Sequence, residues 1–152
     1  MMRYALLALA LVLSSTAWAQ DGEAKKLAQG ILDKGSALFD TKDAAAMTAT
    51  YTADAKLVWY SKNNAGTLEV GVKSGHSEIE DVYLDMFKNK DETTSRNTVE
   101  FARLVAPELL IIQGVFQPNV ANAGKYPFVQ VRVKEGDKWL IKSLELFAFS
   151  QD

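Results

Sequence analysis

Apolar and polar positions along the chain change rhythm near residue 95. Before that point they mostly recur every three or four residues, the repeat of an amphipathic helix, and after it they run in short β-type segments. From Glu23 to Phe39, apolar or small residues fall at Ala24, Leu27, Ala28, Ile31, Leu32, Gly35, Leu38 and Phe39. Lys25, Lys26, Gln29, Asp33 and Lys34 occupy the opposite face. Asp40-Thr41-Lys42-Asp43 breaks this stripe, and Asp43 is placed to cap a short second helix through Ala44, Met47 and Tyr51. A β run from Ala55 to Ser61, the turn Asn63-Asn64-Ala65-Gly66 and a return from Thr67 to Val72 predict a hairpin. A third helix follows, with Ser77-x-x-Glu80 as a capping box and Ser74 as a competing cap. Its inward stripe is Ile79, Val82, Tyr83, Met86 and Phe87. Four strands complete the chain: Asn97–Val105, Leu109–Gln117, Phe128–Lys134 and Trp139–Phe149. Helices first and a meander last predict an α+β fold in which a curved sheet closes over packed helices.

The N-terminus reads as an export leader. Arg3 gives a positive start, Tyr4 to Leu13 an unbroken apolar run, and Ala17-Trp18-Ala19 a small-x-small cleavage site. Residues 1–19 are therefore expected to be removed, leaving 20–152 as a single domain that is periplasmic or secreted. The apolar run is short of the roughly 20 residues needed to span a bilayer, so no membrane association is expected after cleavage. The formal net charge is −2 with no basic block, which argues against a nucleic-acid partner. The chain has no cysteine and one histidine. That excludes disulfide staples, thiol catalysis and a multi-histidine metal site within one chain. No cofactor fingerprint is present, so none is expected.

Several junctions carry a family resemblance: Asp43, Tyr51-Thr52-Ala53-Asp54-Ala55, Gly75 through Ile79, Arg103-Leu104-Val105-Ala106-Pro107, and Gly136-Asp137-Lys138-Trp139-Leu140-Ile141. With these residues the chain resembles the nuclear transport factor 2-like superfamily, which includes SnoaL-type cyclases and ketosteroid isomerase. Within it the chain is most similar to the SgcJ/EcaC family. The resemblance implies a cone: a curved mixed sheet of about six strands wrapped around three helices, with a pocket between them. It implies little about activity, because the superfamily hosts both enzymes and non-catalytic pocket proteins.

Individual side chains then stand out as candidates, the first through strand parity. On the last strand Trp139, Ile141, Ser143, Glu145, Phe147 and Phe149 share one face. Enclosure there would raise the Glu145 pKa toward that of a general acid or base, whereas a rim position or pairing with Arg103 or Arg132 would leave it structural. His76 is either a proton shuttle at the cavity mouth or a solvated helix-end residue. Asp54 is either a general base or the group that fixes the turn into the first strand. Arg103, alternating with Val99 and Phe101, is an anion-binding candidate if no carboxylate neutralises it. Trp59, Tyr60, Tyr83, Phe128 and Trp139 are candidate walls for a small apolar or aromatic ligand. Leu109 to Ile112 and the last strand are apolar on both faces, which predicts a homodimer through the sheet.

Overall fold

The computed structural model describes residues 3–89 and 91–149, with side chains described from Asp21 onward. The expected leader and its cleavage site after Ala19 lie outside the residues whose side chains are described. Three helices, α1 (Arg3–Asp40), α2 (Ala44–Thr48) and α3 (Gly75–Met86), accompany six strands. The strands are β1 (Tyr51–Lys62), β2 (Leu68–Ser74), β3 (Ser95–Ala106), β4 (Leu109–Pro118), β5 (Tyr126–Glu135) and β6 (Lys138–Ala148). They form one sheet in the order β2-β1-β6-β5-β4-β3, antiparallel except where β1 runs parallel to β6. The α+β class, the strand number and the mixed sheet agree with the sequence. No helix among the described residues is long and apolar enough to cross a membrane.

Helix α1 lies along β3 because its buried stripe is small. Ala24, Ala28, Leu32 and Ser36, four residues apart, let the backbones approach closely. Polar side chains stitch the two together. Gln29 donates to the Asn97 carbonyl (2.9 Å) and accepts from the Val99 N–H (3.0 Å), while Asn97 donates to Ser36 Oγ (2.8 Å). Asp43 caps α2, accepting from the Ala46 N–H at 2.9 Å. Tyr51, expected on that helix, instead opens β1 opposite Ile141 and is buried. At α3 the competing cap prevails: Ser74 is the N-cap residue, and Glu78 accepts from its N–H at 2.8 Å. Ile79, Tyr83 and Phe87 face inward as expected, but Met86 is exposed.

Two irregularities decide what the cone contains. Between Val99 and Phe101, β3 carries one more residue than β4, and between Ile141 and Ser143, β6 carries one more than β5. Each is a β-bulge that reverses the inside–outside alternation of the residues following it, on β3 as far as a second shift between Leu104 and Ala106. Gly114 sits opposite the first bulge, where a Cβ would stand 2.4 Å from the Thr98 carbonyl and 2.9 Å from the Phe128 ring.

Candidate functional site

The concave face of the sheet and the three helices bound a cavity of about 980 Å³ that is open to solvent on one side. Two apolar clusters contribute to its lining. One gathers around Met47, Tyr51, Leu57, Ile79 and Tyr83, the other around Leu32, Val99, Leu110, Ile112 and Phe128. Leu32 and Phe39 of α1, Val82 and Tyr83 of α3, Trp59 of β1 and Phe116 of β4 supply part of the wall. Phe128, Gln130 and Arg132 of β5 continue it, and Trp139, Ile141, Leu144 and Leu146 of β6 complete it. Phe39 packs edge-on against Phe87 (5.1 Å) and Phe116 (5.3 Å), so the aromatic side of the wall is itself held by rings. The Trp59 indole lies over Gly71 of β2, where any Cβ would come within 2.0 Å of it.

Polar groups inside the cone are few. Arg132 is 5% exposed. Its Nε donates to Gln130 Oε1 (2.8 Å) and its Nη1 to the Trp139 carbonyl (3.0 Å). No carboxylate among the described residues stands within ion-pairing distance of it. Burial pushes the guanidinium pKa down to about 10, against a smaller opposing influence of Tyr51 and Tyr83. Those two phenols form a buried pair with their oxygens 2.8 Å apart. Burial drives both pKa values upward, so the pair stays neutral and able to donate. Of the other charged residues of the lining, Asp81, Asp85, Asp137 and Lys138 are exposed and Lys73 is partly buried.

Of the residues singled out from sequence, Trp59, Tyr83, Phe128 and Trp139 line this cavity, and Tyr60, Arg103, Glu145, Asp54 and His76 do not. The bulge at Lys142 explains Glu145. Trp139 and Ile141 face the cavity, but beyond the bulge Leu144 and Leu146 take over that face, and Glu145 turns outward. There it accepts from the Tyr60 hydroxyl at 3.3 Å, beside the Tyr60–Phe147 stack (5.1 Å), and its charge raises the Tyr60 pKa. The bulge at Glu100 likewise separates Arg103 from Val99. Val99 is buried, whereas Arg103 is exposed and lies 3.7 Å from Asp21. Asp54 accepts from Lys142 and from Thr52 Oγ1 (3.0 Å), and the Lys142 hydrogen bond holds its carboxyl below the usual value. His76 Nε2 is 2.9 Å from the Tyr51 carbonyl and ties the start of α3 to β1.

Sequence reasoning did not nominate Arg132, Gln130 or Tyr51 for the cavity. A signal for the first two exists. Strand β5 alternates Phe128, Gln130 and Arg132 with Val129, Val131 and Val133, and the less apolar set is the inward one. Among the described residues no group of three His, Asp or Glu side chains is arranged to hold a metal.

A cone of this strand order, open between sheet and helices, matches many solved structures. The fold is nuclear transport factor 2-like. One match is a nuclear transport factor 2-like protein of unknown function from Shewanella oneidensis, at TM-score 0.63 and 14% identity, covering 78% of this chain and 93% of that one. Another is a cystatin-like domain of unknown function from Nostoc punctiforme, at TM-score 0.62 and 15% identity, covering 82% and 76%. A third is a ketosteroid isomerase-like protein from Erwinia carotovora, at TM-score 0.55 and 14% identity, covering 78% and 94%. By sequence, no family model and no curated protein matches the chain. At these identities the nuclear transport factor 2-like matches establish the fold alone.

Proposed function

We propose that this is an exported small-molecule-binding domain that holds a mostly apolar or aromatic ligand in its cone without turning it over. The observation that carries this reading is the cavity: about 980 Å³, walled by Trp59, Phe116, Phe128 and Trp139, and without a carboxylate or imidazole in its interior. A packed scaffold has no need of such a volume, because folded interiors leave few voids larger than a water molecule. A lyase, isomerase or hydrolase that moved a proton through Glu145, Asp54 or His76 would need that group at the substrate. All three stand outside the cavity, so the catalytic alternative draws no support from them. The same proposal places the chain with the small exported proteins of the SgcJ/EcaC type, on the junction residues quoted above.

The partner in this reading is a second copy of the chain. Val129 and Val131 of β5, Val58 of β1 and Val70 and Val72 of β2 lie on the outward face of the sheet, away from the cavity, and Val70 and Val72 are more than half exposed. Sheet-to-sheet pairing would cover them.

Tryptophan fluorescence of the purified protein, titrated with flat aromatic and acyl-chain compounds, tests the pocket, since Trp59 and Trp139 line it. Saturable quenching or a thermal upshift is expected, and its absence across the panel would sink the reading. Light scattering tests assembly, where a monomer at micromolar concentration refutes the dimer. The mass of protein recovered from the periplasm or medium should begin at Gln20.

A further inference from the structure

Arg132 is unlike every other cation whose ion pair is described. Lys42, Lys88, Arg103 and Lys142 each stand within 4 Å of a carboxylate on their own element or a neighbour. Arg132 is the most deeply buried of the five and has no such neighbour among the described residues. A guanidinium taken out of water without a counter-charge is costly, and the usual outcome is a carboxylate beside it. Here Arg132 instead lines the cavity.

The hydrogen-bond inventory points the same way. Arg132 has five N–H groups, of which Gln130 and the Trp139 carbonyl engage one each. Gln130 Oε1 is already an acceptor for Arg132, so the end of that side chain left for a ligand is its NH2 donor. In the Tyr51–Tyr83 pair one hydroxyl donates to the other, and the second keeps an uncommitted O–H. The buried polar groups of the lining, Arg132, Gln130, Tyr51 and Tyr83, thus offer donors to a cavity whose other walls are largely apolar.

We infer that the ligand bears a single-charged anionic head, a carboxylate by preference, seated on Arg132, with its apolar body against the Trp139, Phe128 and Leu144 side of the cone. The planar guanidinium fork suits a carboxylate geometrically. A phosphate dianion would call for a second buried cation, and the lysines of the lining are exposed (Lys34, Lys138) or only partly buried (Lys73). This inference rests on the cone being a ligand pocket and adds the charge of what enters it.

Matched probe pairs separate the two statements: 2-naphthoate against 2-naphthamide, and dodecanoate against dodecanol, titrated at neutral pH by calorimetry and tryptophan fluorescence. A charge-assisted hydrogen bond in a dry site gives the acid an advantage of about tenfold or more. Arg132→Gln should erase that advantage by weakening the acids while leaving the neutral members bound. Equal affinity of acid and neutral partner in the wild-type protein overturns the anionic head and leaves the pocket intact. Binding of neither member of either pair overturns both. The wild-type comparison needs no variant, so it decides even if Arg132→Gln does not fold.

Discussion

The two faces of strand β5 invert what burial alone would assign. Val129 and Val131 look away from the cavity, while Phe128, Gln130 and Arg132 look into it. A sheet that only had to fold would place the valines inside. The inversion is intelligible if the inside is a site and the outside is a contact surface. A polar inward face supplies hydrogen bonds to whatever occupies the hollow, and an apolar outward face is economical only when something covers it. The neighbouring strand shows the ordinary arrangement at its inner end, where Leu110 and Ile112 are fully buried and Ile111 is not.

Substitutions on β4 therefore give the widest separation between the faces. Leu110→Ala should lower unfolding free energy by about 2–4 kcal/mol, the range for truncating a fully buried side chain in a well-packed core. Ile111→Ala, at dilutions where any dimer has dissociated, should cost less than Leu110→Ala, because that side chain is only partly buried in a single chain. Urea unfolding of both, repeated over a concentration series, checks this. In the Ile111 variant the penalty should grow with protein concentration, since it falls on association. Equal penalties independent of concentration would mean that the outward face is not an interface.

Next in size is the tyrosine pair. Tyr51→Phe leaves the Tyr83 hydroxyl without its buried partner, and each single variant should cost about 1–3 kcal/mol. The double variant should cost less than the two singles together, and additivity would show that the pair does not act as a unit. The pH dependence has a definite sign. Both folded-state pKa values are raised, mainly by burial, so the stability these neutral phenols contribute is fully present below pH 10. It is lost as pH rises through the folded values. Arg132 works in the opposite direction: its folded pKa is lowered to about 10 by burial, so deprotonation above that pH relieves part of the strain on the folded state. Replacing both tyrosines should flatten the alkaline limb of the stability curve, and replacing Arg132 should steepen it.

Most of the architecture was legible from periodicity and turn chemistry. The stripe on α1, the Asp43 cap, the Asn63–Gly66 turn and the four final strands each follow from a local rule that the surroundings reinforce. The Asn63 carboxamide, for example, accepts from the Ala65 and Thr67 N–H groups, as that turn requires. The cavity was only half legible, and the reason is specific. Parity carries information along a strand only until an extra residue intervenes, and the bulges at Glu100 and Lys142 lie between the reference residues and the candidates. Val99 was a sound guide to the inner face but Arg103 lies beyond the bulge, and Ile141 stands to Glu145 in the same relation. Of the aromatic candidates, Trp59, Tyr83, Phe128 and Trp139 line the cavity, while Tyr60, the residue after Trp59 on β1, takes the outward face beside Glu145. Nothing in the residues on either side of Lys142 announces that it is extra, since the signal lies in its pairing with β5.

The smallest effect belongs to that bulge. Lys142 donates to Asp54, which sits in the irregular stretch of β1 where the pairing with β6 changes register, so one ion pair links two departures from regular sheet. The Asp54 carboxyl is highly exposed, and water and salt screen such a pair. Its folded-state pKa is nevertheless lowered, first by the hydrogen bond from Lys142 and then by that from Thr52. A depressed carboxylate contributes stability above its unfolded value of 3.8 and loses it as pH falls through the lower folded value. Asp54→Asn should therefore be slightly less stable than the wild type near neutrality and converge with it in acid. Lys142→Ala should produce the same convergence, and ligand affinity should be unchanged in both. If Asp54→Asn instead abolished binding of a cavity probe while remaining folded, the division of labour between the two faces would have to be redrawn with Asp54 on the inner side.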